Sequence, residues 1–350
     1  MSLRFKNDFP VRGQFYFSGE MPMSFVYLTE SGTKLSKRGG HYLVTREGET
    51  VLEIPQATLE GLVVMNSVQV TSDVMADLMK RGISVHWISA QGKNLGRLVS
   101  SDCVHVERQI RQVELLHSSL ALALQKKVIA AKLHNQQVLL RRYNRNADVM
   151  EVRQTVEKIH QMERKIDACT GTTKIMGYEG MAGKLYFSAL GQLVPKDFAF
   201  LKRSRRPPED AFNAMLSFGY TLLTHELYTD ILNEGLHPYI GFLHEPKNHH
   251  AALASDLVEP WRPVVVDAVV MALVNKKMMH LDDFRLGKDG KGVYLESAGR
   301  KKFLQAYEKK LHATVNKTYS YRHAAAMMTT AYAHALMTGD ATGFQPLLMR

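Results

Sequence analysis

The run from Val104 to Arg142, VHVERQIRQVELLHSSLALALQKKVIAAKLHNQQVLLRR, decides the fold. It contains neither glycine nor proline, and its apolar residues recur at helical spacing, so it predicts helix throughout. The chain before it has another texture. SFVYLTE (Ser24–Glu30), HYLVTRE (His41–Glu47) and TVLEIP (Thr50–Pro55) are β-branched and aromatic-rich runs separated by Ser31-Gly32, Gly39-Gly40 and Gly48, which reads as strands joined by turns. Leu62 to Val64 and Ser84 to Ile88 predict further strands. SDVMADLMKRG between them predicts a short helix capped by Ser72 or Asp73 and ended by Gly82. Gln91-Gly92-Lys93 predicts a hairpin turn, and Leu95 to Val99 a last strand.

After the deciding run, helical patterns continue: Val149 to Cys169, about Ile175 to Leu190, Phe212 to Asn233, Val264 to Asn275, and one or two helices from Ser297 to Thr338. Asn144 to Asp148 reads as a break, and GKDGKG within Leu281 to Leu295 as a small hairpin. The fold class is therefore α+β. A small N-terminal β-rich domain, residues 1–99, precedes a large, nearly all-α domain, residues 100–350.

Composition bounds the function. Over 350 residues, 45% are hydrophobic and 23% charged, as in a folded soluble protein. A net charge of +11 favours a polyanionic partner, with nucleic acid ahead of a membrane surface, over a protein merely kept in solution by its charge. Two cysteines, Cys103 and Cys169, make no disulfide framework and no cysteine zinc knuckle, and they fit a reducing cytoplasm. The opening MSLRFKNDFPVRGQF has no apolar h-region, so no secretory signal is expected. Val264 to Val274, interrupted by Asp267, is too short to span a bilayer.

Three stretches carry chemistry. In GYEGMAGKLYF (Gly177–Phe187) a single glutamate, Glu179, stands among small residues on a predicted helix. Gly177, Gly180, Ala182 and Gly183 let another backbone, or a bulky ligand such as DNA, come close. The plainer reading is a first-turn glutamate favoured by the helix dipole. In KRSRRPP the four cations Lys202, Arg203, Arg205 and Arg206 lie within five residues. They suit phosphate contact, or else form a solvated loop. The Met, Phe and Tyr of NAMLSFGYTLL (Asn213–Leu223), which follows, have the spacing of a buried helix.

The third stretch, GLHPYIGFLHEPKNHHAALASDLVEPWRP, runs from Gly235 to Pro263. His244, Asp256 and Glu259 are hard or borderline metal ligands. Asp256 and Glu259 also match a capping box on a helix opening at Asp256, with Pro260 and Pro263 marking an irregular start. His249 and His250 raise a zinc alternative, which lacks spaced cysteines or a His-Glu-x-x-His helix.

Together, GYEGMAGKLYF, SRRPPEDAFNAMLSFGYTLL, GLHPYIGFLHE and SDLVEPWRPVVVDAVV, in that order and at that spacing, resemble the CRISPR-associated protein one family, the CRISPR adaptation integrases. The resemblance extends from about Ser24 onward. It implies a metal site of Glu179, His244 and Asp256, binding Mn2+ or Mg2+ and serving as the catalytic residues. Three positions before that aspartate some members carry another acidic residue, which here is Leu253. No ligand role passes to Glu259 from the family, which leaves it a helix-start partner. The implied activity is insertion of short foreign DNA fragments into a CRISPR repeat array by 3′-hydroxyl attack on a phosphodiester, with metal-dependent endonuclease activity. Implied partners are double-stranded DNA, a second copy of the chain joined through the β domain, and CRISPR-associated protein two. The alternatives are a metal-dependent DNA nuclease outside CRISPR adaptation and a non-catalytic basic DNA scaffold. The cations Lys202, Arg203, Arg205 and Arg206 are the expected DNA contacts, and no membrane is expected.

Overall fold

A computed structural model of the chain describes residues 15–16, 24–89, 92–100, 104–287, 290–315 and 317–350. Residues 1–14 of the opening segment, Gln91 of the expected turn, Cys103, and Lys288 and Asp289 of GKDGKG lie outside the described residues. The chain divides into two compact units, Met1–Ser100 and Ser101–Arg350.

Among its described residues the first unit holds two sheets, one α-helix and a short 3-10 turn. One sheet has the order β1 (Phe15–Tyr16), β2 (Ser24–Leu28), β6 (Leu59–Met65), β8 (Ser84–Ile88), β9 (Asn94–Leu98). Its centre is parallel: β2 pairs with β6 and β6 with β8, Val63 facing Tyr27 on one side and His86 on the other. LEGLVVM in β6 is buried almost without interruption, as expected of a central strand covered on both faces. The second sheet has the order β5 (Glu49–Pro55), β4 (His41–Arg46), β3 (Thr33–Arg38), β7 (Gln69–Val70). Val26, Leu62 and Val85 of the first sheet, Leu35, Val44 and Ile54 of the second, and Val74 and Leu78 of helix α1 (Ser72–Lys80) share one core. The cap of α1 differs from expectation. Thr71 is its N-cap, Ser72 its first residue, and no side chain caps it. Gly82, at φ +64°, turns the chain out as expected. Strand β3, TKLSKR, escapes the pattern because Leu35 is its only strongly apolar residue, and it falls unassigned between the turn formers Ser31-Gly32 and Gly39-Gly40.

Among its described residues the second unit is mainly helical, with loops and two short hairpins, Phe284–Leu286 with Val293–Leu295 and Thr314–Val315 with Tyr319–Ser320. The α+β class stands. The deciding run is two helices, not one: α2 (Val106–Glu114) and α3 (Ser119–Ala147). Ser118 ends the break by accepting from Ala121 N at 3.1 Å, which satisfies an N–H that the helix start leaves free. α3 also runs through the expected break, as far as Ala147, where Asp148 turns left-handed at φ +55°.

α4 (Met150–Ile166) and α5 (Thr172–Gly191) pack on α3. α6 (Ala211–Asn233) is apolar nearly all round and buried along most of its length, as a central helix must be. Asp210 caps it, accepting from Asn213 N at 2.7 Å. α7 (Ala252–Val258), a π-helical turn (Arg262–Asp267) and α8 (Ala268–Asn275) then follow almost end to end. This corrects the expected helix start at Asp256, which lies inside α7. No side chain caps α7, whose N-cap is Ala251. α9 (Ser297–His312) and α10 (Tyr321–Thr338) complete the unit. Among the described residues no helix is long and apolar enough to cross a membrane.

Candidate functional site

α3, α5 and α7 bring Glu179 and Glu259 to one place around a lysine, with Asp256 on the same short helix as Glu259. Lys132, buried on α3, forms a short ion pair with Glu179 of α5 and lies 2.6 Å from Glu259 Oε2. Glu259, at the C-terminal end of α7, is 4% exposed, and its Oε1 pairs with Arg262 at 3.2 Å. Burial alone would push the Glu259 carboxyl up. The Arg262 and Lys132 charges outweigh it, with His244 adding to them, and hold the group down at about 2. A buried carboxylate kept ionised by cations is therefore the fixed charge of the site. Asn135, fully buried on α3, steadies the backbone beside it by donating to Pro260 O at 2.9 Å.

Asp256 does a different job. Its Oδ2 accepts from Phe242 N at 2.7 Å and Leu243 N at 2.9 Å, and its Oδ1 from His244 N at 2.9 Å. His244 Nδ1 lies 2.7 Å from the same Oδ1. Two bonds per oxygen use the acceptor capacity of a carboxylate. The GFLHE loop is thus folded around Asp256, and Gly241 permits it. A Cβ at Gly241 would sit 2.7 Å from the Ala252 carbonyl carbon and 2.8 Å from Asp256 Oδ2. With Nδ1 committed to Asp256, Nε2 is the His244 nitrogen left for a ligand. Burial pulls the His244 imidazole down, but the Asp256 hydrogen bond and charge, with the Glu259 charge behind them, leave it raised. His250 stacks edge-on to His244 with ring centres 5.7 Å apart. Burial and the neighbouring His244 lower its basicity.

Glu179 faces a cavity of about 510 Å³. Its walls carry Lys132, Lys184, Lys202, Arg203, Arg205 and Arg262 against two acids, Glu179 and Asp267. Three of the four predicted cations therefore reach the cavity. Arg206 is not among its lining residues, and its charge is felt by His250. Gly180 and Gly183 also line it, and a Cβ at Gly180 would meet nothing within 4 Å. The small face of α5 is thus open on the cavity side. Glu179 lies in the middle of α5, which begins at Thr172, so the helix N-terminus does not account for it.

The predicted trio does not close into a cluster. His244 and Asp256 are in contact, while Glu179 meets Glu259 through Lys132. Among the described residues no group of three or more His, Cys, Asp or Glu is set to hold an ion. The donor chemistry nevertheless fits a hard divalent cation. Two carboxylates already share one cation, the Lys132 ammonium, which lies 2.6 Å from the buried Glu259 Oε2. Carboxylate oxygens with one imidazole suit magnesium or manganese. The sequence offered Glu259 as a possible ligand and then set it aside as a helix-start partner, and it passed over Lys132 and Arg262. The EPWRP run, which places an arginine three residues after a glutamate, was the available signal for Arg262; Lys132 had none.

Comparison with known proteins agrees with this arrangement of elements. The family model described as CRISPR associated protein Cas1 matches residues 26–309. A CRISPR-associated endonuclease Cas1 of Mycobacterium tuberculosis is 32% identical over 290 residues, covering 83% of this chain and 85% of that protein. Among solved structures, a CAS1 protein from Thermotoga maritima shares the fold with a TM-score of 0.77 at 24% identity, over 91% of this chain and 98% of that one. A Cas6-RT-Cas1–Cas2 complex gives a TM-score of 0.82 at 23% identity over 96% of this chain, which spans only 37% of that longer one. A family match over most of the sequence and 32% identity across most of both proteins lead to one conclusion: the chain belongs to the Cas1 family.

Proposed function

We propose that this chain is a CRISPR adaptation integrase with endonuclease activity, joining short DNA fragments to a CRISPR repeat by transesterification. One observation carries the reading. Two carboxylates share a cation at the wall of a cavity that is otherwise rich in lysine and arginine. Such a cavity attracts a phosphodiester, and the acids beside it give a metal its place. The endonuclease name of the M. tuberculosis relative supports the same bond as the target.

On this reading Glu179, His244 and Glu259 hold the ion. Asp256, whose oxygens are used by the loop, fixes the His244 ring. A magnesium or manganese ion there would supply charge to the non-bridging phosphate oxygens and acidify the attacking hydroxyl. The chain's own residues do the rest. Lys184, Lys202, Arg203 and Arg205 bind and orient the phosphate backbone. Arg262, beside Glu259, adds positive charge where negative charge develops. The fragment's 3′-oxygen forms the new phosphodiester, and the repeat's own 3′-oxygen leaves with a proton. Water in place of the fragment gives a nick. Double-stranded DNA, a second copy of the chain joined through the N-terminal unit, and CRISPR-associated protein two are the partners of this function, and the cytoplasm its place.

A strand-transfer assay tests it, with a repeat-bearing plasmid, a fragment with free 3′-hydroxyls and Mn2+. Glu179→Gln, His244→Ala and Glu259→Gln should each lower joined product by about 100-fold or more while DNA binding persists. Wild-type joining by His244→Ala sinks the site. Nicking without joining by the native protein reduces the function to a nuclease.

A further inference from the structure

Tyr220 of α6 lies inside the run that reads as plain core, yet it lines the cavity. The Arg262 guanidinium carbon is 4.8 Å from its ring centre, and that of Arg203 is 5.3 Å away. One aromatic ring thus carries two guanidiniums, each within cation–π range. Its hydroxyl is fixed from below, donating to Asp267 Oδ1 at 2.5 Å, and Tyr186 donates to Asp267 Oδ2 at 2.6 Å. Asp267 ends the π-helical turn that Arg262 begins. Acid and arginine are therefore set by one π-helical turn, and the ring of α6 is tied to that turn through its hydroxyl.

The two arginines are not disarmed by their other contacts. Arg203 bonds to the neutral acceptors Ser204 O, Asn213 Oδ1 and Ser217 Oγ. Arg262 shares Glu259 with Lys132, and its Nε is buried without a hydrogen bond. Two cations on one ring repel each other, and burial raises the cost of holding both. An anion seated against both relieves that repulsion, and two planar forks on one platform match the oxygens of a phosphate.

We propose that Tyr220 is a positioning residue whose ring holds Arg203 and Arg262 as a paired clamp for one phosphate group of the DNA entering the cavity. This rests on the DNA reading given above and deepens it by naming the residue that sets the clamp. It does not depend on metal or on turnover.

Binding of a short fluorescein-labelled DNA duplex to the full-length protein, in EDTA from 50 to 300 mM KCl, tests it by anisotropy. Tyr220→Phe keeps the ring and loses the hydroxyl. Its affinity should stay within about twofold of wild type, with the same salt slope. Tyr220→Leu loses the ring. It should bind about 10-fold more weakly, with a log–log salt slope shallower by about 1, the value of one phosphate contact. Native affinity and slope in Tyr220→Leu overturn the proposal, as does a Tyr220→Phe loss equal to that of Tyr220→Leu. Should Tyr220→Leu not fold, Arg262→Lys carries the test, since it keeps the charge but not the flat fork. About fivefold weaker binding is expected, and unchanged binding overturns it. A wild-type protein that binds no duplex at all sinks the DNA reading itself, whereas normal binding with an inert Tyr220 sinks only the clamp.

Discussion

Asp256 and Glu259 lie three residues apart and look interchangeable in sequence, yet they have opposite surroundings. Asp256 is consumed by three backbone N–H groups and the His244 ring, whereas Glu259 faces Lys132 and Arg262. What separates them is a loop wrapped on one side of α7, and that wrapping depends on Gly241. The SDLVE run shows that two acids share a helix face but not which of them the distant GFLHE loop will claim. Glu179 and His244 stand out in the sequence because Glu179 is the only acid of GYEGMAGKLYF and His244 the only imidazole of GFLHE. Asp256→Asn should therefore weaken Mn2+ binding by about 10- to 100-fold, the usual effect of loosening a residue behind a ligand, without abolishing it. Glu259→Gln should abolish it. Calorimetric titration with Mn2+ decides, and complete loss in Asp256→Asn with retention in Glu259→Gln would return Asp256 to the ligand set.

At the scale of elements, periodicity found nearly every helix and most of the longer strands, and it failed where a strand is short or a local feature overrides it. The turn of Leu115 to Ser118 between α2 and α3 contains neither glycine nor proline, so only the Ser118 cap marks it. The α7–π–α8 segment contains Pro260 and Pro263, which read as a helix start, but the chain keeps its course by widening into a π turn. Asp267, inside that turn, gives the prediction. It is 1% exposed, and burial raises its carboxyl to about 6 in spite of the Tyr186 and Tyr220 hydrogen bonds and the nearby arginines. Its folded value lies above its unfolded one. The stability linked to its proton is therefore complete below about pH 4 and lost as pH rises through about 6. The loss is on the order of 3 kcal/mol. Asp267→Asn has no such proton. The melting temperature of wild type minus that of Asp267→Asn should fall between pH 4 and pH 7 and level off above. A difference that stays constant over that range would show that the buried carboxyl does not titrate there.

Across the whole molecule, composition points to a kind of partner but not to the path it takes. A net charge of +11 states that a polyanion is welcome. Which of the 45 Lys and Arg residues meet it depends on how the helices close around the cavity. Lys132, for example, reaches Glu179 across 47 residues of sequence, a pairing that helical periodicity cannot encode. Three cations of the KRSRR loop line the cavity, with Lys202 and Arg205 exposed there. Because they are exposed, replacing both with glutamine should leave the melting temperature unchanged. If each contacts one phosphate, the log–log salt dependence of duplex binding should become shallower by about 2, equally for duplexes of unrelated sequence, because backbone contacts carry no base information. Weaker binding to one sequence only would mean that the loop reads bases. An unchanged slope would mean that DNA enters by another face, and the arginines of the long helices, Arg141, Arg142 and Arg145, would be the next residues to neutralise.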